Sequence, residues 1–268
     1  RGELFSAAQM EQYGSVLAAR NLSALRPTTQ HTPDQLLPRL ADNEHAISTA
    51  CAALIDDIKN NRLIMPAAEW LLDNFYLIEE QICTAKQHLP KGYSKELPRL
   101  TKGVSVGKPR VYDIALETIS HGDGRVDVES LRQFVSAYQQ VTTLTLGELW
   151  AIPIMLRLAL IENLRRVSTR IAINRANRKV ADGWADQMSE AAESDPSGLI
   201  LLVADMARSV SLFDSPFVAE LARRFQGHGP TPPWPLPLVA HALAEHGSRL
   251  VNIVLPYTLQ NHASQDTM

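Results

Sequence analysis

The sequence predicts an almost wholly α-helical protein, and three observations support that fold class. Apolar residues recur every three to four positions along most of the 268 residues, which is the period of one helix face. Residues that typically start or stop helices stand between these stretches. No stretch combines the strict apolar–polar alternation of a β-strand with flanking turn residues. We therefore expect an all-α protein, either a multi-helix bundle or an array of packed helical hairpins.

The first quarter of the chain contains two predicted helices. The first ends before Pro27, because a proline disfavours helical geometry in the residue that precedes it. Thr32 followed by Pro33 is a typical helix start, and the apolar face of a second helix continues to Ile58. Pro38 could divide this second stretch into two pieces.

The next segment holds a long helix and an irregular loop. Pro66 opens a helix predicted over Ala67–His88. Residues 90–109 contain several glycines and prolines, but Tyr93, Leu97 and Leu100 punctuate them as apolar anchors. We therefore expect an ordered loop here.

Capping residues place the helices of the second half. A short helix is predicted over Val111–Ile119, and Asp127 caps the next one. Thr145 caps a long helix that extends to about Glu193. Further helix starts stand at Pro196, at Ser215-Pro216 and at Pro235, and Leu250–Asn261 is the last predicted helix. We treat residues 1–268 as a single helical module, with a weak subdivision expected at most near 226–237, where glycines and prolines concentrate.

The sequence does not contain the residue patterns that several classes of function usually require. The formal net charge of -3 gives no overall basic field for nucleic acid. The segment His121–Asp127 resembles part of a calcium loop, but Ser130 stands where the closing acid should be, so a turn followed by a helix cap is the better interpretation. We expect no catalytic residue, no metal ion and no cofactor in this chain.

Two helices carry charged residues on apolar faces. Arg157 lies in a strongly apolar stretch, and a buried arginine requires a carboxylate partner. The predicted pairing joins Arg157 to Asp73 or Glu80 across two packed helices. The predicted network contains seven residues: Asp73, Glu80, Arg110, Glu148, Arg157, Glu162 and Arg165. Such a network either fixes the register of the helices or lines a polar ligand pocket.

Two further sets of residues have more than one possible role. Trp70, Tyr76, Tyr112 and Trp150 offer aromatic rings that could stack on sugars. The basic run from Arg165 to Lys179 favours a solvated helix face, and its alternatives are contact with anionic lipid headgroups or with an acidic partner domain.

Long motifs give the chain a family resemblance. The segment Ala68–Ile82, with the sequence AEWLLDNFYLIEEQI, strongly resembles part of the N-terminal region of bacterial cyclic β-1,2-glucan synthases, and so does Leu144–Arg166. Shorter similarities occur at Arg1–Phe5, Leu89–Tyr93, Leu97–Leu100, Pro109–Tyr112 and Phe217–Gly229. The resemblance is weakest over Pro230–Met268.

The resemblance implies a large inner-membrane glycosyltransferase that builds cyclic β-1,2-glucan from UDP-glucose. The family's transferase and glycoside-hydrolase-type domains would lie outside this chain and would be its partners in the same polypeptide. The leading hypothesis is a non-catalytic N-terminal module that positions those domains at the cytoplasmic face of the inner membrane and is itself soluble. A carbohydrate or nucleotide-sugar binding module is the first alternative. A stand-alone glucan hydrolase or phosphorylase is the second, and it would need two carboxylates facing each other across a cleft.

Overall fold

The predicted all-α fold class is confirmed. The computed structural model describes residues 3–26, 35–89, 93–194, 198–209 and 215–226. The described helices and strands are, in chain order, α1 (Ala7–Leu22), β1 (Leu25–Arg26), α2 (Leu36–Lys59), α3 (Pro66–Asp73), α4 (Phe75–His88), β2 (Arg99–Leu100), α5 (Arg110–His121), α6 (Val128–Val141), α7 (Leu146–Ser194), α8 (Leu199–Ser209) and α9 (Ser215–Gln226).

Side-chain caps define the start of three helices. Ser6 and Gln9 form a reciprocal capping box at the start of α1. The side chain of Asp127 accepts a hydrogen bond of 2.8 Å from the backbone N–H of Ser130 at the start of α6, as the sequence predicts. At the start of α7 the Thr145 hydroxyl accepts a hydrogen bond of 3.3 Å from the Glu148 N–H.

Two helix boundaries differ from the prediction. Pro38 does not divide α2, because it lies in the first turn, where its missing N–H would have no acceptor within the helix. The single helix predicted over Ala67–His88 is instead two helices, α3 and α4, which are separated at Asn74. The side chain of Asn74 donates a hydrogen bond of 2.8 Å to the Trp70 carbonyl oxygen, which also accepts the Asn74 backbone N–H at 3.1 Å, so Asn74 caps the end of α3.

The loop after α4 is ordered, as predicted, and it also contains β2, one strand of a pair that the sequence does not reveal. Tyr93–Glu96 form a 3₁₀ turn, and Leu97 and Leu100 are buried. Leu100 pairs with Leu25 in a two-residue antiparallel ladder. Two residues are too few to produce a visible alternation of apolar and polar side chains. Gly107 closes the turn with a φ of 80° and donates its N–H to the Leu100 carbonyl oxygen at 2.7 Å.

The chain divides into two compact units, Arg1–Ile171 and Ala172–Met268. In the first unit, a large apolar core gathers buried side chains from α2, α3, α4, α5 and the first part of α7. A smaller core joins α1, α5 and α6, where a Cβ at Gly14 would lie 2.6 Å from the Phe134 carbonyl oxygen. In the second unit, Met188, Met206 and Phe217 lie in a core that the end of α7 shares with α8 and α9.

Several predictions lie outside the described residues. They are the helix starts at Thr32-Pro33, Pro196 and Pro235, the final helix Leu250–Asn261, and the subdivision near 226–237 beyond Gln226. The helix predicted to begin at Ser215-Pro216 is present as α9.

Candidate functional site

Buried polar side chains of the first unit form three clusters, and each cluster joins helices that are distant in the sequence. The first joins α5 to α7, the second joins α2 to α7, and the third joins α1 to α5. These clusters are the candidate site, because buried charged groups are rare unless they are paired.

Arg110 and Glu148 form the most deeply buried ion pair. The side chains are 4% and 0% exposed. The guanidinium donates from Nε to Oε1 at 2.5 Å and from Nη2 to Oε2 at 2.8 Å, which is the bidentate geometry of a strong pair. Arg110 also donates to the Thr142 hydroxyl at 3.1 Å and to the Thr143 carbonyl oxygen at 2.8 Å. Burial opposes the charge of Arg110, but the bonds and the charge of Glu148 outweigh it and raise the pKa of the guanidinium.

The same glutamate also caps α7. Oε2 of Glu148 accepts hydrogen bonds from the Thr145 N–H at 2.8 Å and from the Thr145 hydroxyl at 3.0 Å. Glu148 therefore accepts four hydrogen bonds, two from Arg110 and two from Thr145. A carboxylate that is fully enclosed and bonded in this way has no access to a substrate and cannot act as a general acid or base.

Glu162 is the centre of the second cluster. Its side chain is 2% exposed. It accepts hydrogen bonds from Arg39 at 2.9 and 2.5 Å, from Asn43 at 2.9 Å and from Arg165 at 3.1 Å. Two buried atoms of this cluster, Oδ1 of Asn43 and Nε of Arg165, have no hydrogen-bond partner.

The second cluster carries more positive than negative charge. Burial opposes ionisation of Glu162, but the bonds from Arg39, Asn43 and Arg165 lower the pKa of its carboxyl to about 2. Burial, and then the charge of Glu162, raise the pKa of Tyr112 to about 12. Lys108, whose ammonium lies 5.5 Å from the centre of the Tyr112 ring, has a pKa lowered by burial and then by the like charge of Arg39.

The third cluster surrounds Asp113, a buried residue of α5. Its Oδ2 accepts hydrogen bonds from Arg20 at 3.1 Å and from Asn21 at 3.3 Å. The same nitrogen of Arg20 donates to Glu117 at 3.0 Å. The imidazole of His121 lies 3.3 Å from the other oxygen of Glu117. This cluster borders a cleft of about 330 Å³.

The structure brings together four of the seven predicted network residues, as two separate pairs. Arg110 pairs with Glu148, and Glu162 pairs with Arg165. The other three residues do not meet, so the predicted pairing of Arg157 with Asp73 or Glu80 is wrong.

The three residues that do not meet are exposed or half-buried. Asp73 and Glu80 are exposed. Arg157 is half-buried and makes no hydrogen bond or ion pair with the described residues. The apolar neighbours of Arg157 in the sequence face the core, and the long arginine side chain can reach water from the edge of that face.

The four aromatic residues do not form one sugar-binding surface. Trp70, Tyr76 and Trp150 are 54%, 70% and 77% exposed. Tyr112 is 2% exposed and packs in the large core, so its ring cannot stack on a sugar.

Sequence reasoning missed Arg39, Asn43, Arg20, Asn21 and Asp113. Two of them carry a visible signal, since a polar residue interrupts an apolar helix stripe. Asn43 stands on the buried face of α2, and Asn21 stands on that of α1. Arg39 and Arg20 have no such signal, because half-exposed arginines are common on helix surfaces. Asp113 has none either, because it stands one helical turn before another acidic residue, Glu117, as on an ordinary polar helix face.

The segment that resembles a calcium loop is a turn, as predicted. Asp123 and Gly124 have φ values of 54° and 75°, and Asp127 is the helix cap. Within the described ranges, no three histidine, cysteine, aspartate or glutamate side chains are grouped in a way that could hold a metal ion. Among the helices that the structure describes, none is both long and apolar enough to cross a membrane.

Comparison with known proteins relates the chain to a synthase of known name. No protein-family model matches the chain. The chain is 34% identical over 226 residues to the cyclic β-(1,2)-glucan synthase NdvB of Rhizobium meliloti (strain 1021). The alignment covers 84% of the chain and 8% of the length of that synthase. The predicted resemblance is therefore confirmed as a relation to one short segment of a cyclic β-(1,2)-glucan synthase.

Proposed function

We propose that this chain, as a relative of one short segment of a cyclic β-(1,2)-glucan synthase, is a non-catalytic helical module that positions the catalytic domains of a larger enzyme. The complete protein would be a glycosyltransferase that builds cyclic β-1,2-glucan from UDP-glucose. The transferase and glycoside-hydrolase-type domains of the same polypeptide would be the partners of the module. It would lie N-terminal to them, at the cytoplasmic face of the inner membrane.

The observation that supports this proposal is the burial and pairing of two carboxylates of α7. Glu148 and Glu162 are almost fully enclosed, and arginines from other helices bind both of them. Such pairs favour one arrangement of helices, and neither of these two carboxylates is available to a reacting group. A rigid support for other domains needs this property.

The third cluster argues against a glucan hydrolase or phosphorylase of the two-carboxylate type. Asp113 and Glu117 are one helical turn apart on α5, and both bind the same nitrogen of Arg20. They share one face of one helix, whereas a glycosidase needs two carboxylates on opposite sides of the bond to be broken.

The test replaces the buried ion pair with apolar residues in the complete synthase. Arg110→Met and Glu148→Met should each reduce the amount of folded enzyme, because each leaves one buried charge without its partner. The double variant should recover both folding and glucan synthesis from UDP-glucose. Glu129→Gln is a matched control, because Glu129 is an exposed glutamate on α6 whose pairing with Arg132 is long, at 3.9 Å.

The rate of glucan synthesis per folded molecule distinguishes a supporting role of this ion pair from a catalytic one. If the double variant melts at the wild-type temperature but no longer consumes UDP-glucose, the pair takes part in the reaction and the proposal fails.

A carbohydrate or nucleotide-sugar binding module is the second candidate, and the exposed aromatic rings favour it. Trp70 and Tyr76 flank the break at Asn74, and the exposed carboxylates of Asp73 and Glu80 lie on the same two helices. Calorimetry with β-1,2-glucan fragments and with UDP-glucose tests this candidate. Heat that disappears in the variant Trp70→Ala/Tyr76→Ala would establish a binding module, and no heat at millimolar ligand favours the supporting role.

A further inference from the structure

The cleft beside the third cluster is built from four parts of the first unit. Its walls come from the end of α1, the loop 101–105, α5 and α7. Ala24, Leu100 and Leu116 give it an apolar lining, and the remaining lining residues are mostly polar or charged. Its volume of about 330 Å³ lies at the lower end of the range for small-molecule sites, which suits a ligand of about one sugar ring.

Two buried polar side chains of the cleft retain unused hydrogen-bonding capacity. Asp113 is 5% exposed, and its Oδ2 accepts both of its hydrogen bonds, so that Oδ1 accepts none from the described residues. Ser105 is 3% exposed, and its hydroxyl has no hydrogen-bond partner in the described part of the chain. Neither atom is sealed in the core, so both are accessible from the cleft and the hydroxyl groups of a ligand would reach them there.

Of the three cations on the cleft wall, one is paired with carboxylates and two have no ion pair with the described residues. Arg20 binds both Asp113 and Glu117. Lys102 and Arg166 also line the cleft, and neither forms an ion pair with the described residues. The lining thus contains three cations and two carboxylates, which leaves a formal charge of +1.

The surroundings add to the positive potential beside Arg166. Lys108 has a pKa lowered by burial and then by the charge of Arg39. The carboxylates of Glu162 and Asp113 oppose this shift, and the charge of Arg166 makes the smallest contribution to it. Lys102 and Arg166 are two cations on the cleft wall without an ion pair among the described residues, and such cations favour an anion nearby. A phosphate group would satisfy this requirement, since lysine and arginine both bind phosphate oxygens.

We propose that this cleft binds a phosphorylated monosaccharide. The sugar hydroxyls would donate to Asp113 and pair with Ser105, and Lys102 and Arg166 would bind the phosphate. The inference goes beyond the supporting role proposed above and does not depend on it, because a bound ligand can be measured on this chain without any glucan synthesis.

Calorimetry on the full 268-residue chain compares four probes: glucose 1-phosphate, glucose 6-phosphate, glucose and inorganic phosphate. We expect at least one sugar phosphate to bind more tightly than either glucose or inorganic phosphate. Only a sugar phosphate can contact both the residues that bind hydroxyl groups and the cations that bind phosphate. No heat from either sugar phosphate at about 10 mM, well above the usual range for a metabolite site, would overturn the proposal. Equal affinity for inorganic phosphate and the sugar phosphates would also overturn it, since the cleft would then be a simple anion site.

Substitutions of the cleft residues show whether the sugar phosphate binds in this cleft. Arg166→Gln and Lys102→Gln should each weaken sugar-phosphate binding about tenfold, the effect of losing one charge-assisted hydrogen bond. Both residues are exposed, so the fold should be unaffected. Ser105→Ala should weaken binding of the sugar phosphate and leave binding of inorganic phosphate unchanged.

Arg170→Gln is the matched control, since Arg170 is exposed on α7 one turn after Arg166 and does not line the cleft. Equal loss of binding in Arg170→Gln and Arg166→Gln would indicate general attraction to a basic helix, and the assignment to this cleft would be wrong.

Discussion

Glu148 and Glu162 lie on the same helix and are almost equally buried, yet their charges are balanced differently. Glu148 has one arginine and the threonine that caps its own helix, and all of its contacts are short. Glu162 is shared by two arginines and an asparagine, and two atoms of that cluster remain without partners. The first arrangement is a closed neutral pair, and the second is a cationic cluster that is partly open to solvent through Arg39 and Arg165.

Burial of a carboxylate does not by itself determine how much it contributes to stability. When one member of the closed pair Arg110–Glu148 is removed, the other member finds no alternative partner and its charge stays buried. A shared carboxylate leaves behind arginines that can turn towards water. Substitutions of Glu148 and Glu162 test this difference, and a substitution of Arg157 shows the effect expected where no ion pair is present.

The largest effect is expected at the closed pair. Glu148→Leu leaves Arg110 buried without a carboxylate and also removes two bonds to Thr145, so the free energy of unfolding should fall by about 3–5 kcal/mol. Urea unfolding followed by circular dichroism measures this loss. A loss below about 1 kcal/mol, the level of an exposed pair, would show that Arg110 reaches water and that the pair is not closed.

A smaller, pH-dependent effect is expected at the shared carboxylate. The pKa of Glu162 is about 2 in the folded protein and starts from an ordinary value of 4.5. Because the folded pKa is lower, the stabilisation is complete above the unfolded value and is lost as the pH falls towards about 2. The shift corresponds to stabilisation on the order of 3 kcal/mol.

The variant Glu162→Gln isolates this contribution. It should be less stable than the wild type at neutral pH, and the two proteins should converge in stability between about pH 4.5 and pH 2. Urea midpoints measured across this range provide the test. A constant difference between the two proteins would mean that the charge of Glu162 does not provide the stabilisation.

The smallest effect is expected at Arg157, the arginine that the sequence pairs incorrectly. Since Arg157 has no ion pair with the described residues and is half-exposed, Arg157→Met should change the free energy of unfolding by no more than about 0.5 kcal/mol. The melting temperatures of wild type and variant give the comparison. A loss as large as that of Glu148→Leu would reveal a buried carboxylate partner for Arg157.

Local sequence signals predicted the helices well. The capping residues Asp127 and Thr145 start α6 and α7 as expected, because a cap depends on a side chain and on a backbone N–H only three residues away. The break at Asn74 was missed, although it is also local. The helical spacing of the surrounding apolar residues continues through the break and hides it.

The ion pairs were predicted less well, for a physical reason. The sequence predicts that both Arg110 and Glu148 belong to a buried polar network. Which partner each one binds depends on the rotation and crossing of two helices, and spacing along one helix does not contain that information. Arg157 shows the consequence. Its apolar neighbours suggested burial, yet it lies at the edge of the apolar face, and a long side chain there does not need a carboxylate.

The sequence alone determined the helical fold class, most helix starts and the relation to a cyclic β-(1,2)-glucan synthase, because short-range periodicity, caps and long motifs carry that information. Tertiary structure alone decided which glutamate binds which arginine, that Tyr112 is enclosed while Trp150 is exposed, and that Asp113 and Ser105 line the same cleft as Arg166. These features require residues far apart in the chain to come within a few ångströms, and only the packing of whole helices fixes such distances.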